Sequence, residues 1–223
     1  SHKGTVIATP IDDTTPSTIP SLLDTLRKEQ VHLKQQRVPN STLIPLPGEM
    51  ELFAEGVRQL KTYITSREQS DLRTARALLD QVQYDVEEVT GQFVVLRERV
   101  PPRGWGLYVI ALQTPTGVGV EVPAPLDEWG TAEAGVRLFQ ALRGRTLAIA
   151  GSGRTTNTDG SADVLTNPHT IYQTFHKIQA RRNVLQIRGI TPEAEHGLRQ
   201  AAGAQAADQE VSRQTRLWIT SDL

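Results

Sequence analysis

The stretch Thr146-Leu-Ala-Ile-Ala-Gly-Ser-Gly-Arg-Thr-Thr-Asn-Thr-Asp-Gly-Ser-Ala-Asp163 decides the fold. Residues 147–150 form a short apolar run, the pattern of a strand buried on both faces. Gly151 and Gly153 then end the strand. The polar segment that follows carries Arg154, Asn157, Asp159 and Asp163, and helical periodicity resumes only near Pro168. In open α/β sheets, ligands sit beyond the carboxyl ends of strands, so this loop is the first place to look for a site. It is also longer than a plain strand-to-helix connection requires.

Working outward, the rhythm is that of an α/β domain. Downstream, residues 168–180 read as helix, 184–188 as strand, 192–205 as helix and 216–220 as strand. Upstream, 131–142 read as helix. Three apolar runs at 92–98, 107–113 and 118–122, joined by Pro- and Gly-containing turns, predict antiparallel strands at one side of the sheet. Strand–helix alternation predicts parallel strands with crossover helices. The fold class expected is α/β, with a mixed, mostly parallel sheet flanked by helices.

The first ninety residues differ in character. Residues 1–19, broken by Thr9-Pro10 and Thr15-Pro16 and followed by Pro20, read as a linker or extended arm. Residues 20–90 read as a helical N-terminal subdomain, with helices at 20–36, at 49–65 and from a Ser70 N-cap to a Gly91 C′ residue. The α/β domain is then expected to occupy 91–223. Ser1-His2 has the look of a cleaved-tag scar. It implies an engineered start that hides any native export signal or membrane anchor.

Composition narrows the function classes. The chain has 223 residues, 38% of them hydrophobic and 22% charged, with a formal net charge of −1 and no cysteine. That excludes disulfides, thiolate catalysis and Cys-based zinc sites. There is no Lys/Arg cluster of the kind that marks a nucleic-acid partner. Gly151-Ser-Gly-Arg-Thr-Thr156 lacks both the Gly-Lys-Ser/Thr of a phosphate loop and the third glycine of a dinucleotide fingerprint. No Gly-x-Ser-x-Gly elbow is present for a serine hydrolase.

The chemistry-bearing residues fall just after predicted strands. Glu121 ends one strand, Arg154, Asp159 and Asp163 follow the next, Arg188 ends a third, and His176 lies on the helix leading to it. Each has a plainer reading. Glu121 can be a carboxylate paired with an arginine, and His176 a half-buried packing residue beside Phe175. Arg154 with Asp159 or Asp163 can simply staple a long loop. His169 reads as solvent-facing. His32 and His196 lie on ordinary helices with no acidic or histidine partner at i+4.

The motifs Gly-Val-Glu-Val-Pro-Ala-Pro125, Ala-Gly-Ser-Gly-Arg154, Asp-Gly-Ser-Ala-Asp-Val-Leu-Thr-Asn-Pro168 and Leu-Gln-Ile-Arg-Gly189 resemble those of zinc-dependent amidohydrolases. The group resembled is the N-formylglutamate amidohydrolase and poly-γ-glutamate hydrolase-like proteins, related to zinc carboxypeptidases. The resemblance spans about residues 92–220. It implies an α/β domain whose strand-end histidines and an acid hold one zinc. The departures are Ala124 in a Val-Pro-His-Pro type position, Gly153 where His-Arg is expected, and Arg188 in a Gln-Ile-His-Gly type position. None of the three can ligate zinc, which leaves Glu121 and His176, fewer than the three protein ligands a catalytic zinc usually has.

The resemblance therefore implies a degenerate, non-catalytic relative without zinc, a binding or scaffolding module of the bacterial cell envelope. Its localisation is expected to be periplasmic or extracellular. Arg154 and Arg188 are expected to make a cationic rim pocket for a small acidic ligand, peptide or polymer. Two alternatives stand beside it. One is an active zinc amidohydrolase or peptidase acting on peptides or γ-glutamyl polymers. The other is an interaction module working through its N-terminal helices.

Overall fold

The structure is a computed structural model that describes residues 40–89, 91–113, 116–179 and 183–189. The expected arm and the helix at 20–36, with His32, lie outside these residues. So do the helix at 192–205, with His196, and the strand at 216–220.

Two helices open the described chain, α1 (Pro47–Ser66) and α2 (Gln69–Gln81). Pro47 takes the first helical position, where its missing N–H is no loss. The Glu49 carboxylate accepts the Leu46 N–H at 2.8 Å. Apolar residues at Phe53, Val57 and Leu60 in α1 and at Leu72, Ala75 and Leu79 in α2 keep helical spacing, and all are buried. Helix α2 begins after Glu68 rather than Ser70.

The helix expected to run on to Gly91 stops at Gln81. Gln83 adopts φ +56° and the chain enters β1 (Tyr84–Val89). Val82 and Val86 misled because a spacing of four suits both a helix and a strand. Period two is visible in burial, with Tyr84 inside and Asp85 and Glu87 exposed. Gly91, at φ +64°, serves the hairpin to β2 rather than a helix end. The boundary expected at 90/91 thus cuts a hairpin, and residues 40–188 lie within one compact unit.

The remaining elements are β2 (Phe93–Glu98), β3 (Leu107–Ala111), β4 (Gly119–Val122), α3 (Thr131–Ala141), β5 (Thr146–Ile149), α4 (Ile171–Gln179) and β6 (Val184–Gln186). The described strands form one sheet in the order β1-β2-β3-β5-β4-β6. The sheet is mixed, as expected. Its balance differs from the expectation, because β1–β2, β2–β3 and β3–β5 are antiparallel and only β4–β5 and β4–β6 are parallel.

Helices cover both faces. On one side α3 packs so closely that a Cβ on Gly135 would meet Val122 Cγ2 at 2.4 Å, and Phe139 lies against Phe93. On the other side, α1, α2 and α4 pack over Tyr84, Leu96, Tyr108 and Ala148. Phe53 touches both Tyr84 and Tyr108, and Phe175 lies 4.6 Å from Tyr108 between ring centroids. The apolar stripes of α1 and α2 are therefore spent in the core.

The two parallel connections run in opposite directions from β4 and β5. A right-handed crossover in each case puts α3 and α4 on opposite faces. The carboxyl ends of β4 and β5 thus form a topological switch point, where α/β sheets open a crevice.

The end of β5 is tied to the start of β3 by a backbone contact only glycine permits. Gly106, at φ +98°, would carry a Cβ 2.4 Å from the Ile149 carbonyl oxygen, and a Cβ on Gly151 would lie 2.4 Å from the Gly106 nitrogen. Above this contact Glu98 accepts the N–H groups of Arg103, Trp105 and Gly106. Burial pushes the Glu98 carboxyl up, against the pull of those N–H groups and of Arg103. Gly106→Ala is expected to cost about 2–4 kcal/mol through backbone strain and collision. Urea unfolding should show a lower midpoint with an unchanged m-value.

Candidate functional site

The three parallel strands deliver their carboxyl ends to one rim. Val122 is in register with Ile149 across β4–β5, and the Ile187 N–H bonds the Glu121 carbonyl beyond the end of β6. The segments around Val122, Gly153 and Ile187 are therefore neighbours. They are joined at one short turn, Ala124 to Thr131, which the Arg154 N–H and the Arg188 side chain both reach. Within it the Asp127 and Glu128 N–H groups both donate to the Ala124 carbonyl, while the Thr131 N–H and hydroxyl donate to that of Glu128.

Both rim arginines are held by carboxylates. Arg188 grips Glu128 through Nε and Nη2 at 2.8–3.2 Å. Arg154 grips one oxygen of Asp163 through Nε at 3.1 Å and Nη2 at 3.0 Å, and its backbone N–H donates to Asp127 Oδ2 at 2.7 Å. Burial pushes the Asp163 carboxyl up, but the Arg154 guanidinium, the Leu165 N–H and the charge of Arg188 outweigh it and hold it below the usual range. Arg154 is raised in turn, chiefly by its bond to Asp163. In neither arginine does Nη1 make a hydrogen bond among the described residues, and both side chains are partly open to solvent.

Behind the rim, on the α4 side of the sheet, Glu121 is buried to 3% exposure, and its Oε1 lies 2.8 Å from His176 Nδ1. The partner is histidine rather than the arginine that the plain reading offered. Glu121 Oε2 and the Tyr172 hydroxyl are buried and have no hydrogen-bond partner among the described residues. The Tyr172 phenol is pushed well above its usual value, by burial first and then by the charge of Glu121. The side chain of His176 keeps 36% exposure, so its ring bridges interior and solvent. Its bond to Glu121 raises its pKa.

Of the residues singled out from sequence, Glu121 and His176 form one pair. Arg154, Asp163 and Arg188 form a charged cluster with Glu128. Asp159 joins neither. It is exposed and accepts from the Ser161 hydroxyl and N–H, which lower its pKa. The loop staple is therefore Arg154–Asp163. Asn157, also in the loop, is buried and exchanges two hydrogen bonds with the Thr42 backbone. Exposed His169 stands apart. Asp127, Glu128 and Tyr172 were missed from sequence. The first two follow β4, so the same strand-end rule would have found them.

The donor set does not fit the zinc that the resemblance implies. Ala124 is buried and offers only a methyl. A Cβ on Gly153 would stand 3.2 Å from Asp127 Oδ1, and Arg188 presents a cation already bound to Glu128. Among the described residues, no group of three or more His, Asp or Glu is placed to hold a metal ion, and no helix is long and apolar enough to cross a membrane. None of the family models, curated proteins and solved structures compared with this chain matches it.

The raised His176 pKa carries a pH dependence. Stability from its bond to Glu121 is fully present below the unfolded value near 6.5 and is lost as pH rises through the higher folded value. The urea midpoint of the wild type is expected to fall relative to that of His176→Gln as pH rises above about 6.5. Parallel pH curves for the two proteins would refute the assignment.

Proposed function

We propose that this chain is a non-catalytic binding module, a degenerate relative of the zinc amidohydrolase-like group, whose rim takes a ligand bearing carboxylates. The single observation behind this reading is what surrounds the turn after β4. Ala124, Gly153 and a Glu128-bound Arg188 meet there, and none can hold or activate a metal-bound water. The frame of an α/β site is retained while the chemistry is gone.

The arginines support the ligand class. Guanidiniums fixed by a carboxylate on one edge keep further N–H donors for a second acceptor, so little side-chain entropy is lost on binding. Nη1 of Arg154 and of Arg188 are such donors, and a carboxylate is their natural acceptor. The binding they give is expected to be weak and salt-sensitive, because the rim is open to solvent.

Two measurements test the reading. Zinc added to the protein and then passed through a desalting column should not be retained in stoichiometric amount. A soluble oligo-glutamate should bind by calorimetry, and Arg154→Gln with Arg188→Gln should weaken it by about tenfold, the loss of one or two charge-assisted hydrogen bonds. Stoichiometric zinc with chelator-sensitive amide hydrolysis would overturn the proposal.

A further inference from the structure

Trp129 is 92% exposed, the most exposed of the large hydrophobic side chains among the described residues. It follows Glu128 directly and stands on the same turn that ties the three strand ends. That turn is held on both sides of it, by the Glu128 N–H to Ala124 before and the Thr131 bonds to the Glu128 carbonyl after. Gly130, at φ +79°, turns the chain from Trp129 into α3. The indole is thus displayed on a turn held on both sides of it, one residue along the chain from the Glu128 that Arg188 grips.

No packing explains it. A solvated indole forfeits a large hydrophobic gain, and tryptophan and arginine are the residues that concentrate binding energy at recognition surfaces. The groups bonded into this turn are charged: Asp127, Glu128, Arg154 and Arg188, with Asp163 behind Arg154. The other exposed large hydrophobics, Leu43, Ile44, Leu46 and Val100, belong to segments outside it. A protein-binding hot spot wants apolar neighbours that exclude water. The groups bonded into this turn are charged instead.

That combination suits one ligand chemistry. Asp127, Glu128 and Asp163 would repel a ligand that is only anionic, while the arginines would attract it. A sugar hydroxyl both donates and accepts, so it satisfies a carboxylate and a guanidinium side by side. A pyranose also has one face of C–H bonds that can lie on the electron-rich face of an indole. A sugar carrying a carboxylate uses the remaining Nη1 donors as well.

We infer that Trp129 is the stacking platform of the rim and that its ligand is an acidic saccharide, a chain of uronic-acid type sugars. This inference rests on the reading of the rim as a carboxylate-binding site and adds the class of molecule that carries the carboxylates.

Tetragalacturonate, neutral maltotetraose and oligo-glutamate of similar length serve as probes, with binding read by calorimetry and by tryptophan fluorescence. Tetragalacturonate should bind more tightly than either of the others and shift the emission. Trp129→Ala should weaken it about tenfold or more and abolish the shift, with Trp129→Phe falling between. So exposed a side chain should leave the circular dichroism and urea midpoint of both variants unchanged. Tetragalacturonate binding that Trp129→Ala leaves intact and Arg188→Gln weakens would overturn this inference and spare the carboxylate reading. So would oligo-glutamate binding more tightly than the saccharide. A concentration-dependent dimer dispersed by Trp129→Ala would overturn it in favour of self-association. Failure of every acidic probe would overturn both readings.

Discussion

One short turn governs this molecule's rim. Between Ala124 and Thr131, the N–H groups of Asp127 and Glu128 converge on a single carbonyl, and the carboxylates of these two residues reach outward to the loop after β5 and to Arg188, two residues past β6. Parallel strands place their carboxyl ends side by side. Nothing in the sheet ladder itself fixes the loops beyond them. Charge-assisted bonds from Asp127 and Glu128 supply that link, and the long loop from Gly151 onward is tied back by Arg154–Asp163 and by Asn157 to the Thr42 backbone. An open polar loop would otherwise carry a large conformational entropy.

Beneath the rim, a buried carboxylate with no guanidinium partner among the described residues is an expensive choice. Glu121 is covered by α4, and one of its oxygens and the neighbouring Tyr172 hydroxyl have no hydrogen-bond partner among the described residues. Buried polar groups left in that condition cost of order 1–3 kcal/mol each. His176 offsets part of this by placing a ring nitrogen against Oε1 while its edge stays wet. The docking of α4 over β4 is thus an electrostatic matter as well as the packing of Phe175 on Tyr108. The Glu121–His176 pair and the rim arginines form two separate groups, and among the described residues neither gathers three metal-ligating side chains.

Much of the fold was legible along the chain. The apolar runs at 92–98, 107–113, 118–122 and 147–150 each became a strand, and the two helices that cover opposite faces lie close to their expected ends. Strand β1 was not legible, because Val82 and Val86 are spaced to suit either periodicity and only the turn at Gln83 settles which applies. The excess of antiparallel pairing follows partly from that extra strand, since β1 pairs with β2 as a hairpin.

By itself the sequence determined which residues face inward, where strands end in glycine, and that chemistry-bearing side chains gather after those ends. These are local properties, set by periodicity and by backbone freedom at single residues. Partner choice was decided only in three dimensions. Glu121 took His176 rather than an arginine, Arg154 took Asp163 rather than Asp159, and Arg188 took Glu128, sixty residues away in the chain. Each pairing depends on strand order and on which face a crossover helix takes. Those are fixed by the burial of the whole sheet, and no stretch of residues encodes them alone.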